Sequence, residues 1–218
     1  MKLSDHTLTV LKNFSSINKG VLLKPGKVQR TISEDRVIFA TVTLEDDIPE
    51  QFGIYDLSKF LGNVTTLKNP ELTFTKDSVR LDDGEMEFEY RASAPNLIIS
   101  PPDKKLELAQ VDGKFDLPNP VFQKFMKMAL MNSLPHLSVV GEGRDLKLKI
   151  HDKPVTTSNR GFTKIGSHSG PDFIITFKRE NLKLLPDDYT VEFNIGKFAT
   201  FTNQSGTLMY AVGLEAEV

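Results

Sequence analysis

The 218-residue sequence contains no cysteine. That excludes disulfides, thiolate metal sites and a cysteine nucleophile, and it fits a reducing compartment. No apolar run approaches the length of a membrane span. Polar residues interrupt the N-terminus every three or four positions, so no signal-peptide core is expected. The four histidines, His6, His136, His151 and His168, have no metal-ligand spacing and read as isolated surface or half-buried side chains. The stretch G-F-T-K-I-G-S at 161–167 lacks the lysine before Ser/Thr and the directly following helix that a phosphate loop needs. Ser167, His168 and Ser169 are adjacent in a loop, which is not triad geometry. The acidic clusters at 45–47 and 82–85 read as a solvated loop and a turn. No catalytic residue, metal or cofactor is therefore expected, and the chain is read as not an enzyme. An excess of positive charge is also missing, since the formal net charge is −2.

What is present is an ordinary share of apolar residues and a chain long enough for one large domain or two of about 100 residues. The opening stretch predicts a helix. Ser4 is placed to cap it, Leu3 and Leu8 are spaced as a hydrophobic staple, and Leu8, Leu11 and Ile17 form an apolar stripe with Phe14 and Val10 at its edge. Asn18-Lys19-Gly20 ends it before a strand. Strands are predicted over 27–32, 36–44 and 52–55, with a loop at 45–47. Asp56 then caps a second helix with Leu57, Phe60, Leu61 and Val64 on one side. Gly62 inside that helix costs about 1 kcal/mol and is read as close packing on the sheet. Three strands follow, at 71–75, 78–81 and 85–91. The last alternates strictly, which turns Met86, Phe88 and Tyr90 inward and the glutamates to water.

After a Pro-rich break the order repeats. Asn119 is expected to cap a helix with Pro120 at its first helical position and Phe122, Phe125, Met126 and Ala129 inward. Strands are expected at 137–140, 145–151 and around 155–157, then a Gly/Ser loop over 161–170 and a strand at 172–177. A short helix at 178–185 is ended by Pro186, and three strands complete the chain. Leu8, Leu11 and Phe14 align with Phe122, Phe125 and Met128, and Leu61 aligns with Leu182. The chain is thus read as an α+β protein of two similar domains, 1–103 and 116–218, each with two helices packed on antiparallel sheets, joined by a connector at 104–115.

Charge sorts by element. The four helical segments with their flanks (1–19, 56–68, 119–132, 178–185) carry +2, +1, +2 and +2, so the remainder carries −9. Basic helices on an acidic β-rich body suit a protein whose helical side alone meets phosphate. Lysines that merely decorate solvated helix faces are the competing explanation.

The residues that carry a resemblance are M-K-L-S at 1–4, V-L-K-N-F-x-x-I-N-x-G-x-x-L-K-x-G at 10–26, I-Y-D-L-x-x-F-L-G at 54–62 and Y-A-V-G-L-E-A at 210–216. Together they resemble the DNA-polymerase sliding clamp, or processivity factor, of T-even-type bacteriophages. The resemblance implies the DNA-clamp fold and a closed homotrimeric ring of six domains, with twelve helices around the hole. At a spacing of roughly 8–10 Å per helix, the ring of helix axes is about 30–38 Å across, which admits a B-form duplex. It also implies duplex DNA, the replicative DNA polymerase and an ATP-dependent clamp loader as partners, in the cytoplasm of an infected bacterial host. The expected DNA-facing residues are Lys2, Lys12, Lys59, Lys124, Lys127, Arg179 and Lys183, making loose contacts without sequence preference. Leu106 and Leu108 on the connector, with Tyr210 and Val212 on the last strand, are candidates for holding a polymerase peptide, against an alternative of ordinary core and edge positions. Two rivals from other classes are a β-rich structural or adhesion protein of a virion and an enzyme with an unrecognised site.

Overall fold

The computed structural model describes residues 1–104, 106–155 and 157–216. The chain divides into two compact units, Met1–Lys104 and Lys105–Val218.

The first unit opens with α1, Asp5–Ile17. Ser4 caps it, its hydroxyl accepting from the Thr7 N–H at 3.2 Å, a bond of the kind that contributes about 1 kcal/mol. The Ser4 N–H donates to the Asp46 carboxylate at 2.7 Å. Burial alone would raise the Asp46 pKa, but that bond, the Thr7 and Ser4 hydroxyls and nearby His6 hold it below the usual carboxylate value. The buried stripe is Val10, Leu11, Phe14 and Ile17 with Thr7. Val10 and Phe14 are therefore central to it, and Leu8, expected inside, is half-buried at the margin. Asn18 closes the helix by donating to the Ile32 and Ile99 carbonyls, both at 2.9 Å. A side chain at Gly20 would meet the Ile54 carbonyl at 2.9 Å, so only glycine lets the chain turn there.

Strands β1 (Val21–Leu23), β2 (Gly26–Ile32), β3 (Ile38–Ile48) and β4 (Phe52–Ile54) follow. β1 pairs with β4 and β2 with β3, all antiparallel. The acidic stretch 45–47, expected as a loop, continues β3 because Ile48 is buried and holds the register to Gly26. α2, Leu57–Thr66, begins at Asp56, whose carboxylate accepts from the Lys59 N–H at 3.1 Å. A three-stranded sheet then forms from β5 (Glu71–Phe74), β6 (Ser78–Asp82) and β7 (Glu87–Arg91) in that order. A single turn of 3-10 helix at Pro95–Leu97 precedes the end of the unit.

The inward assignment on β7 is corrected. Met86 and Phe88 are 57% and 37% exposed. Tyr90 is half-buried, its ring edge-on to Phe60 at 5.3 Å and its hydroxyl donating to the Asp56 carbonyl at 3.3 Å. Strict alternation shows that the two faces of a strand differ; it does not show that one copy of the chain covers the apolar face.

The second unit contains β8 (Gly113–Leu117), which begins within the stretch read as a connector, and α3 (Asn119–Met131). Asn119 is the first helical residue and not the cap. Pro118 takes the cap position without a side-chain bond, and the Asn119 N–H donates to Asp188 at 2.7 Å. Phe122, Phe125 and Ala129 are buried, Met126 is half-buried, and Met128 is exposed. β9 (His136–Glu142), β10 (Asp145–His151), β11 (Gly161–Ser167) and β12 (Phe173–Lys178) form an antiparallel sheet in the order β11-β10-β9-β12. The expected loop over 161–167 is thus strand β11, drawn into register by β10 from Ile150↔Gly161 to Asp145↔Ser167. Of the strand expected around 155–157, Thr156 lies outside the described residues, and Val155 and Thr157 are not in a strand.

The helix expected over 178–185 is a single 3-10 turn, Arg179–Asn181. Strands β13 (Tyr189–Phe193), β14 (Phe198–Asn203) and β15 (Leu208–Gly213) pair antiparallel with one another in sequence, and β8 pairs with β13. Their core holds a chain of rings, Phe177, Phe201, Tyr189 and Tyr210, with successive centroids 5.6 to 6.3 Å apart.

Candidate nucleic-acid interface

The helical side of the first unit is built from the ends of α1 and α2. The Lys19 carbonyl, just past α1, accepts from the Leu57 N–H that starts α2, at 2.8 Å. The Lys19 ammonium lies 4.9 Å from the centroid of the Tyr55 ring, which is 53% exposed. A cation held over an aromatic face at the surface gains about 0.5–1 kcal/mol. Neither Lys19 nor Tyr55 was singled out from sequence, since the pairing joins residues 36 apart and has no local signal.

Between α1 and α2 runs a groove of about 480 Å³ whose lining includes Leu8, Thr9, Lys12, Ser58, Gly62 and Thr65. A methyl group at Gly62 would meet nothing within 4 Å, which corrects its reading as a close-packing glycine. The groove thus presents one lysine, several hydroxyls and a glycine, with Asp5 also in its lining. Such a surface offers hydrogen bonds without a fixed recognition pattern.

Of the expected DNA-facing residues, Lys2, Lys12 and Lys59 are exposed in the first unit. Lys12 lines the groove, and the Lys59 ammonium is 3.7 Å from the Asp56 carboxylate that caps its own helix. In the second unit, Lys124 and Lys127 are exposed one turn apart on α3. Arg179 differs: it is half-buried and its Nε donates to the Leu134 carbonyl at 3.0 Å. Lys183 is half-buried outside any helix.

The partner-peptide candidates separate in the same way. Leu106 and Leu108 are half-buried and lie outside regular elements. Tyr210 and Val212 are fully buried, which corrects their placement on a docking surface. The Tyr210 hydroxyl accepts from the Leu185 N–H at 3.3 Å, and burial pushes its pKa well above the ordinary tyrosine value. Among the described residues no group of three or more His, Cys, Asp or Glu could hold a metal ion. Nor, among the described residues, is any helix long and apolar enough to cross a membrane.

The family described as DNA polymerase processivity factor matches residues 2–94. The sliding clamp of Vibrio phage KVP40 is 28% identical over 222 residues, covering 99% of this chain and all of that protein. The sliding clamp of Enterobacteria phage T4 is 24% identical, covering 100% of this chain and 98% of that protein. Among solved structures, A. fulgidus PCNA bound to the C-terminal region of FEN-1 superposes with a TM-score of 0.69 at 16% identity, covering 97% of this chain and 95% of that one. The resemblance read from the opening stretch is borne out by these matches, and so is the α+β DNA-clamp fold.

Proposed function

We infer that this chain is a sliding clamp, the processivity factor that keeps a phage DNA polymerase on its template during replication. The observation that carries the reading is the end-to-end match to phage sliding clamps in a chain whose positive charge gathers on its helices. The clamp surrounds duplex DNA, so release requires the ring to open and not only phosphate contacts to break. Lys2, Lys12, Lys59, Lys124 and Lys127 face the DNA backbone, with Arg179 and Lys183 in a lesser role. Exposed lysines on flexible stems give attraction without register, which sliding requires. The clamp performs no chemistry of its own; an ATP-dependent loader opens it onto DNA, in the cytoplasm of the infected host. Three copies form the ring. With three α-helices per chain among the described residues, nine helices and three short turns would line the hole in place of twelve helices.

A closed ring of three needs two different surfaces on each copy, joined head to tail. Sheet edges supply them. Met1 exchanges backbone bonds of 2.6 and 2.7 Å with Leu72 on β5, and the Glu215 N–H donates to Thr176 on β12 at 2.8 Å. The opposite edges, β7 and β11, carry Phe88 and Phe162 in exposed positions, with Met86 exposed just before β7. We assign β7 of one copy and β11 of the next to the subunit contact. Leu106 and Leu108, in the connector at 104–115 between the two domains, remain the candidates for a polymerase peptide.

The test is the length of DNA made per binding event by the replicative polymerase, with loader and ATP, with and without this protein. A several-fold increase that needs both the loader and this protein supports the reading. No change would overturn it and favour the virion-protein alternative. Nucleotide hydrolysis by the protein alone would contradict its non-enzymatic role.

A further inference from the structure

The β9–β12 sheet of the second unit carries a line of lysines, and most are neutralised. Lys147 lies 3.2 Å from Glu142 and 3.8 Å from Asp145. Lys164 lies 2.6 Å from Asp145, and Lys178 lies 3.4 Å from Glu215. Just beyond β10 the pattern changes. A cavity of about 100 Å³ is lined by Lys149, His151, Asp152, Lys153, Ser158 and Arg160, with Val155 at its margin. Among the described residues, none of its three cations has a carboxylate within ion-pair distance, and the Lys153 ammonium instead donates to the Ala216 carbonyl at 2.9 Å.

The wall of this cavity is fixed from behind. His151 Nε2 shares a hydrogen bond of 2.8 Å with the Ser138 hydroxyl, which shares another of 2.8 Å with Thr176. The His136 ring sits 5.8 Å from that of His151, and its Nδ1 accepts from the Lys153 N–H at 3.1 Å. The turn that carries Lys153 is therefore pinned to the sheet. Three cations against one carboxylate make a site of positive potential, and its volume suits one phosphate-sized group, not a nucleobase.

We propose that this cavity binds a single oxyanion, a phosphoryl or sulfate-like group, through Lys149, Lys153 and Arg160, with the Ser158 hydroxyl, which donates to the Asn159 carbonyl at 3.4 Å, at its wall. The neighbouring histidine is a built-in reporter. Burial first, then the charges of Lys149, His136 and Lys153, push the His151 pKa down to about 4, opposed by Asp152. A bound anion opposes those same charges and raises it. The inference is independent of the sliding-clamp reading.

The experiment is a sulfate titration of the full-length protein, followed by NMR of the His151 ring and the Ser158 and Arg160 amides, with chloride at matched ionic strength as control. Sulfate keeps its double charge throughout the range in which His151 titrates. The expected result is a saturable shift with sulfate only, a His151 midpoint raised by about one pH unit, and affinity at least about tenfold weaker in the Lys149→Gln/Arg160→Gln double variant. Far-UV circular dichroism checks that the variant is folded, and Lys149→Arg retains binding. Displacement of sulfate by a short duplex would assign the phosphoryl group to nucleic acid, while persistence of sulfate would assign a free ion; both keep the site. A shift that is linear, equal with chloride, or unchanged in the double variant overturns the proposal.

Discussion

Residues 57–66 and 178–185 hold the same place in the order of elements of the two units, yet only the first is an α-helix. Both contain leucines at helical spacing and both carry lysine. The difference lies at the ends. Asp56 caps α2 with a side-chain bond, and ten residues follow before the chain turns. Lys178 offers no cap, and Pro186 bars Leu185 from helical geometry, leaving too few residues to offset the cost of nucleation. Arg179 is then drawn to the Leu134 carbonyl instead of pointing from a helix face. Amphipathic spacing shows which side of a segment is apolar, while the cap and the available length decide whether it becomes a helix. As a result, the first unit has a two-helix groove lined by the exposed Lys12, and the second has, among the described residues, one α-helix and a tied-down arginine.

Breaking the subunit contact should have the largest effect. Phe88→Asp on β7, where the ring is 37% exposed, is expected to abolish the trimer, and unchanged far-UV circular dichroism of the variant separates loss of contact from loss of fold. An unaltered trimer would remove β7 from the interface. Next, the two helical regions should respond differently to loss of charge. Lys12→Gln/Lys59→Gln should lower clamp-dependent run length several-fold with little change in melting temperature. The same variant should reduce the salt slope of DNA association by about 0.9 for each phosphate it no longer neutralises. Arg179→Gln should instead lower the melting temperature by leaving the Leu134 carbonyl unpaired, a cost of about 1–3 kcal/mol. Equal behaviour of the two sets would erase the contrast drawn above.

Smaller effects concern how the first unit holds its helices. Asp46→Asn removes a charged acceptor from the Ser4 N–H and should cost about 1–2 kcal/mol, seen as faster amide exchange in the first turn of α1. Because the Asp46 pKa is lowered on folding, its contribution is full above the ordinary carboxylate value and fades as pH falls through the lower folded value. Acid denaturation of the Asn variant should therefore be less steep in that range. Gly62→Ala, with open space around the added methyl, should stabilise α2 by about 1 kcal/mol, detectable as a rise of a few degrees in melting temperature.

Much of the first unit was legible. The Ser4 and Asp56 caps, the buried Leu11 and Ile17, and the buried side of α2 follow from local spacing and capping chemistry, which is encoded within a turn or two of the chain. What was not legible depends on distant partners. β11 is a strand because β10 supplies its register, although glycine and serine within 161–167 suggest a loop. Met86 and Phe88 alternate as core residues do, and one copy of the chain leaves them exposed. Tyr210 and Val212 were placed on one face of a strand whose two faces are both largely covered, as the burial of neighbouring Ala211 shows. At the candidate interface, the helix lysines were named from the sorting of charge by element and from the resemblance. The Lys19–Tyr55 pair and the groove beside Gly62 exist only once α1 meets α2.

The most direct test of the account is the solution mass by light scattering over a range of protein concentrations. The ring predicts a mass of about 73 kDa, three times the 24.4 kDa chain, at the upper end, falling on dilution as the ring opens. A mass fixed at 24.4 kDa even in concentrated solution would contradict it.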